Sequence, residues 1–255
     1  MAIKNQIILG GNPVILDIGT YDGADSIEFL DKYSNARVFA FEADLRSIDL
    51  FKHSISTEKS LKTLIDYYNI DIKTPIKDLY KRINSSKLTL VKKAISNING
   101  KTTWYSSNQT PPLSKSESER GLKAWSASSS INKPKNHLKM TMRGNQQIVE
   151  FNNPIEVPSI KLDTWFESQS DINFIDFIWA DVNGGEKELI LGGLNTLKNH
   201  VGYLYTEYSN NELMEGQPTL NEILDMLDGT FTCLEKNSNG IKGMYGTALL
   251  KNINK

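Results

Sequence analysis

The chain has a single cysteine, Cys233, among its 255 residues. An intrachain disulfide is therefore impossible, and a reducing, cytoplasmic setting is expected. Only three histidines are present, His53, His137 and His200. They are scattered, and with one cysteine they exclude a metal centre of the Cys/His kind. No run of about 18 apolar residues occurs, so no membrane insertion is expected. A strand pattern starts soon after the first residues, which leaves no room for a signal peptide. Charge of one sign is also missing. Lys and Arg number 29 against 30 Asp and Glu, a net charge of −1, and a general nucleic-acid partner is not expected. What is there is 39% hydrophobic residues at a mean hydropathy of −0.39. That supplies a real core, and the length suits one α/β domain over residues 1–255.

The strongest motif is Val14-Ile15-Leu16-Asp17-Ile18-Gly19-Thr20-Tyr21-Asp22-Gly23-Ala24-Asp25-Ser26. Its first five residues read as a buried strand of a parallel sheet. Gly19 and Gly23 break the pattern, and Ser26 to Leu30 resumes it with helical spacing. A strand, a glycine loop and a helix let the backbone approach a ligand closely, with helix N–H groups facing it. A dinucleotide site calls for G-x-G-x-x-G and a pyrophosphate. Here the spacing is G-x-x-x-G, with Asp17 and Asp22 beside it. Carboxylates repel a pyrophosphate but suit the cationic amine and sulfonium of S-adenosylmethionine. The bland alternative is a tight strand-to-helix turn with no ligand. A second strand, Arg37 to Phe41, ends in Glu42, 23 residues after Gly19. An acid there is placed to take both ribose hydroxyls of an adenosine.

Residues 45–86 read as an inserted helical segment, with Leu61, Leu64, Ile65 and Tyr68 at helical spacing and Pro75 starting or breaking a helix. Leu88 to Ser96 reads as the third strand. The turn Asn99-Gly100 and the strand after it suggest a hairpin. Residues 106–147 form a long loop rich in Ser, Lys, Asn and Pro, of the kind that is functional or disordered. Within it, residues 115–143 hold seven basic side chains against two glutamates, a local charge of +5. Such a patch steers an anionic partner or is simply solvated. Beyond it, a helix capped near Asp163 is expected. Strands then end at Asp181 and Glu207, and the last strands lie near Phe231–Leu234 and Thr247–Lys251.

Asp181 and Glu207 should lie on adjacent strands, at the sheet edge where open α/β folds bind ligands. Two carboxylates there suit either direct proton removal from a hydroxyl or a divalent cation, Mg2+ or Mn2+, that lowers the hydroxyl's pKa. Ordinary capping of the following segments is the alternative.

These stretches resemble the FkbM family of S-adenosylmethionine-dependent methyltransferases. The resemblance runs through Leu16 to Gly23, Phe39 to Asp44, Lys93 to Ser96, Trp125 to Pro134, Ile160 to Thr164, Ile175 to Glu186, Tyr205 to Ser209 and Glu215 to Gln217. It implies a doubly wound, mostly parallel, seven-stranded Rossmann-like sheet and O-methylation of a sugar or small-molecule hydroxyl. It also implies a cofactor loop of Asp17, Gly19, Thr20, Tyr21, Asp22, Gly23 and Ser26. Glu42 and Ala43 would meet the ribose, and Ala94, Ile95 and Ser96 the adenine edge. The serine run and its neighbours, Ser128, Ser129, Ser130, Asn132, Lys133 and His137, would face the acceptor. The family usually carries Glu or Gln where this chain has Asn183. An RNA ribose 2′-O-methyltransferase and a cofactor-binding scaffold without activity are the alternative functions. Nothing in the sequence sets the oligomeric state.

Overall fold

The computed structural model describes residues 7–110, 120, 126–136, 141–142, 147–239 and 243–255. Strand β1 (Val14–Ile18) leads through the glycine loop into helix α1 (Ala24–Lys32), then β2 (Arg37–Phe41). Three helices follow: α2 (Leu45–Ser54), α3 (Glu58–Tyr68) and α4 (Ile76–Ile83). Thr57 caps α3, whose buried stripe is Leu61, Leu64 and Ile65, and Pro75 occupies the N-cap of α4. The chain then runs through β3 (Leu88–Val91), β4 (Ala94–Ile95), β5 (Gly100–Trp104), β6 (Ser107–Thr110), β7 (Thr141–Met142), β8 (Gln147–Phe151) and β9 (Ile155–Ile160). Helix α5 (Leu162–Glu167), β10 (Ile175–Ala180), α6 (Glu186–Gly192) and α7 (Leu194–His200) lead to β11 (Val201–Ser209). Helix α8 (Leu220–Met226), held by a Thr219–Glu222 capping box, precedes β12 (Phe231–Asn239) and β13 (Tyr245–Asn252).

The main sheet has the order β12-β13-β11-β10-β1-β2-β3. The pairs from β11 to β3 are parallel, and β13 runs antiparallel to both its neighbours. Alternate residues of the central strands feed two cores. Leu16, Ile18, Phe39, Ile178 and Leu204 pack with α5 to α8, whereas Ile15, Val38, Phe177 and Trp179 pack with α1, α3 and α4. Burial on both faces explains why these strands read as unbroken apolar runs.

The structure corrects three local readings. The run Leu88 to Ser96 is not one strand: β3 stays in the main sheet, and Ala94–Ile95 leaves to pair parallel with Ser159–Ile160. The expected hairpin at Asn99-Gly100 does not form either, because β9 lies between β4 and β5. Asn99 serves that crossing, with its Oδ1 accepting from Lys161 N and its Nδ2 donating to Thr164 Oγ1. A turn signal between two strand patterns says nothing about a third strand inserted from 55 or more residues downstream. Asp163 does not cap its own helix. Its carboxylate accepts from Thr196 N at 2.7 Å and Asn195 N at 3.4 Å, at the start of α7.

Candidate active site

The glycine loop is held from below. Asp17 lies inside β1 rather than at its end, is fully buried, and its Oδ2 accepts from Thr20 Oγ1 at 2.6 Å and Ser26 Oγ at 2.5 Å. Gly19 N and Thr20 N both donate to Phe41 O, which clamps the loop to the end of β2. Gly19 and Gly23 both have φ +87, and protein atoms occupy the space a Cβ would need at each. A Cβ on Gly19 would sit 1.8 Å from the Asp181 carbonyl oxygen, and one on Gly23 would sit 2.6 Å from the Phe51 ring. These glycines let β1, β10 and α2 close up, and Gly19 also lines both cavities described next.

Two cavities flank this line. One, of about 520 Å³ open to solvent, is walled by Ile18, Phe41, Ala43, Ala94, Ile95 and Trp104, with Glu42 and Lys93 among its polar lining. The other, about 1010 Å³, is lined by loop residues Gly19 to Asp22, by Asp25 and Glu28, and by Trp179 and Tyr205. Tyr21, Asp181 and Asn183 border both. Glu42 Oε1 accepts from Ala43 N at 2.7 Å and Asp44 N at 2.8 Å, and Oε2 from Tyr21 N at 3.0 Å. Burial pushes its pKa up to about 7 despite these bonds. Ser96 is buried outside the cavity, its N–H bonded to Ile160 O.

Cross-strand partners Trp179 and Tyr205 stack at 3.6 Å with 2° between planes. Two residues further along the chain from each come Asp181, just past the end of β10, and Glu207, on β11. Glu207 is not terminal, however: β11 continues to Ser209, and Glu207 pairs with Thr247 of β13. Burial pushes the Glu207 carboxyl well above the usual range, and the carboxylates of Asp181 and Glu186 push it further. Glu186 is raised to about 8, again chiefly by burial.

The serine run is drawn into the fold rather than presented to solvent. Ser128, Ser129 and Ser130 are buried. Ser129 Oγ donates to Asp44 Oδ2 at 3.1 Å, beside the Asp44–Arg46 ion pair, and Trp104 Nε1 reaches the same oxygen. Burial opposes the charge on Asp44, but its bonds to Arg46 hold the carboxyl below its ordinary value. Ser130 Oγ donates to Asn183 O, and Asn132 Nδ2 to Gly184 O. Lys133 and Lys135 pair with Glu215 and Glu212. An acceptor-facing role for these hydroxyls and cations thus competes with protein partners, and of the three serines only Ser129 lines a cavity. His137 lies outside the described residues. Asn183 has φ +48, a left-handed backbone that asparagine tolerates better than Glu or Gln. Its Nδ2 donates to Ala127 O.

Trp104, Tyr205, Tyr68 and Arg120 were not legible as site residues. Trp104 and Tyr205 looked like ordinary strand positions and Tyr68 like a core-facing helix position. Arg120 was one cation in a polar loop. Among the described residues no group of three or more His, Cys, Asp or Glu side chains is placed to hold a metal ion.

The raised carboxyls set a direction for stability. Glu42 and Glu186 hold protons in the folded state, up to pH of about 7 and 8, that the unfolded chain releases near its ordinary value of 4.5. Folding is therefore most favourable at mildly acid pH and weakens as pH rises through these values. The ligand-free protein is expected to melt several degrees higher at pH 6 than at pH 8.5. Glu186→Gln should flatten that dependence, and an unchanged pH profile would show that Glu186 is ionised throughout.

A sheet of this order, with a glycine loop after β1 and an acid after β2, is the Rossmann-like arrangement that S-adenosylmethionine-dependent methyltransferases use. The apolar walls around Glu42 fit the adenosine of that cofactor. The description "Methyltransferase FkbM domain" matches residues 17–237, and the chain belongs to that family. The 2-O-methyltransferase NoeI of Sinorhizobium fredii (strain NBRC 101917 / NGR234) is 34% identical over 241 residues, covering 94% of this chain and 80% of NoeI. Among solved structures, a fibrillarin/Nop5p complex aligns with a TM-score of 0.43 at 9% identity, covering 99% of this chain and 78% of that one. A precorrin-6y C5,15-methyltransferase from Geobacter metallireducens GS-15 aligns at 0.42 and 11%, covering 98% and 85%. At that similarity neither bears on activity. No described helix is long and apolar enough to cross a membrane.

Proposed function

We propose that this methyltransferase acts on oxygen, transferring the cofactor's methyl to a hydroxyl of a sugar or sugar-bearing small molecule. The observation that carries the reading is Asp181, one residue past the end of β10, bordering both cavities with Glu207 of β11 close enough to feel its charge. When bound, S-adenosylmethionine supplies an electrophilic methyl on a sulfonium sulfur. Glu42 and Ala43 would hold its ribose, and Ala94 and Ile95 its adenine edge. The chain's own residues must then align a hydroxyl and remove its proton. Asp181 is the acid in reach of that hydroxyl. Crowded carboxyls hold protons more tightly than isolated ones, which suits a cluster that must gain one near neutral pH. The acidic, amide and aromatic lining offered by Asp25, Glu28, Asn183, Tyr21 and Tyr205 suits a polyhydroxylated acceptor, and the name of NoeI, a 2-O-methyltransferase, supports a 2-hydroxyl as the first to try. The carboxylates suffice for this step, and no metal is assigned one.

The test is incubation with a trideuteromethyl cofactor and a panel of monosaccharides, oligosaccharides and glycosylated small molecules. A mass shift located to one ring hydroxyl is expected. Transfer to nitrogen, or to RNA alone, would overturn the acceptor assignment.

A further inference from the structure

Charge is divided sharply between two cavities. The one at the glycine loop is lined by Asp22, Asp25, Glu28 and Asp181 and, among the described residues, by no lysine or arginine. A separate cavity, of about 620 Å³ open to solvent, has the opposite character. It is lined by His53 and Ser54 at the end of α2, by Lys59, Ser60 and Thr63 in the first turns of α3, and by Arg120. Among the described residues no acid lines it. Glu58, beside Lys59 in sequence, is exposed and outside the lining.

Arg120 is a permanent cation with only 6% of its surface exposed. Its Nη2 donates to Asp22 Oδ2, and its guanidinium lies over the Tyr67 ring, 3.7 Å from the centroid. Asp22 shares its charge with two more donors, Tyr68 Oη at 2.8 Å and Ala24 N at 3.2 Å. Arg120 Nε, however, is buried with no hydrogen-bond partner. A buried donor left unmatched is costly, and native folds keep few of them. Lys59 is in a similar position. The nearby Lys52 and Lys62 pair with Asp49 and Asp66, whereas Lys59 has no acid partner among the described residues. Thr63 Oγ1 donates to Lys59 O at 3.0 Å, and Ser60 Oγ lies 2.9 Å from Thr57 Oγ1. Those hydroxyls are engaged, so the two cations are what the cavity has to offer.

We propose that this cavity binds a phosphate group, held by Arg120 Nε and the Lys59 ammonium. A tetrahedral oxyanion presents oxygens in several directions, so one meets the directional guanidinium donor while another meets the point charge of the lysine. The stacked Tyr67 ring keeps the guanidinium plane in place, and the first turn of α3 adds the positive end of its dipole. The volume falls within the roughly 300–1,000 Å³ of small-molecule sites, which leaves room for whatever the phosphate is attached to. The site stands whatever the methyl acceptor is.

Calorimetric titration of the full chain without cofactor, at low ionic strength where exposed charges are least screened, should show inorganic phosphate binding. Lys59→Met and Arg120→Met should each weaken it about 10-fold or more. Lys62→Met, on the same helix but outside the lining, should leave it unchanged. Lys59 is exposed, so its variant decides the matter if Arg120→Met does not fold. Glucose 6-phosphate as a second titrant separates the sources. Binding at least as tight as that of inorganic phosphate marks the seat of a phosphorylated ligand, and weaker or no binding marks a site for the free ion; both uphold the proposal. Absence of binding by either titrant, or binding that Lys59→Met leaves untouched, would overturn it.

Discussion

Asp181→Asn is expected to lower turnover by about 10²- to 10⁴-fold, the usual worth of a positioned proton acceptor, while S-adenosylhomocysteine still binds. The amide keeps the size of the side chain, so both cavities keep their border. What it loses is the capacity to receive the hydroxyl proton. Glu207 does not replace it, because Glu207 borders neither cavity. Its influence runs through charge. Glu207→Gln replaces a titratable neighbour of Asp181, its carboxyl raised by burial and by the Asp181 carboxylate, with one that cannot titrate, so a smaller loss is expected, together with a shifted pH–rate profile. Full activity in Asp181→Asn would end the proton-acceptor assignment and move attention to the unassigned acceptor side of the cavity.

Gly19→Ala should have the largest effect on folding. The added methyl would lie 1.8 Å from the Asp181 carbonyl oxygen and 2.9 Å from its carbon, and φ is +87. Both obstacles are backbone, so no side chain can swing away. The neighbouring strand end cannot retreat without breaking the Asp181 N to Ile18 O bond of 2.9 Å that joins β10 to β1. Overpacking against rigid backbone together with a left-handed alanine is expected to cost about 4 kcal/mol or more, a Tm drop of about 10 °C or greater. Gly10→Ala is the control, since a Cβ there meets nothing within 4 Å. If both variants melt alike, β1 and β10 are less tightly joined than described.

Local chemistry made much of this molecule readable in advance. The apolar run of β1, the glycines after it and the acid after β2 are neighbours in sequence. Their spacing alone implies strand, loop, helix and strand, and an adenosine-type ligand across them. The central strands are buried on both faces, so they betray themselves as unbroken apolar runs. The amphipathic stripe of α3 and the start of α4 at Pro75 follow from the same short-range rules.

Long-range pairing was not readable, because nothing local encodes it. Whether Asn99-Gly100 closes a hairpin depends on a strand that arrives more than fifty residues later. Whether Asp163 caps its own helix or α7 depends on how two helices pack. The serine hydroxyls looked available until the fold supplied Asp44, Asn183 and Ser107 as partners. Arg120 shows the difference most sharply. In the sequence it is one cation among seven in a polar loop; in the fold it crosses 98 residues to bury itself against Asp22. Composition and periodicity thus determine the α/β class, the central strands and the glycine loop, and the order of the whole sheet came only as what the family resemblance implies. Burial and electrostatic pairing, which exist only once distant segments meet, decide which acids hold protons, which cations stay solvated and where Asp181 and Glu207 stand.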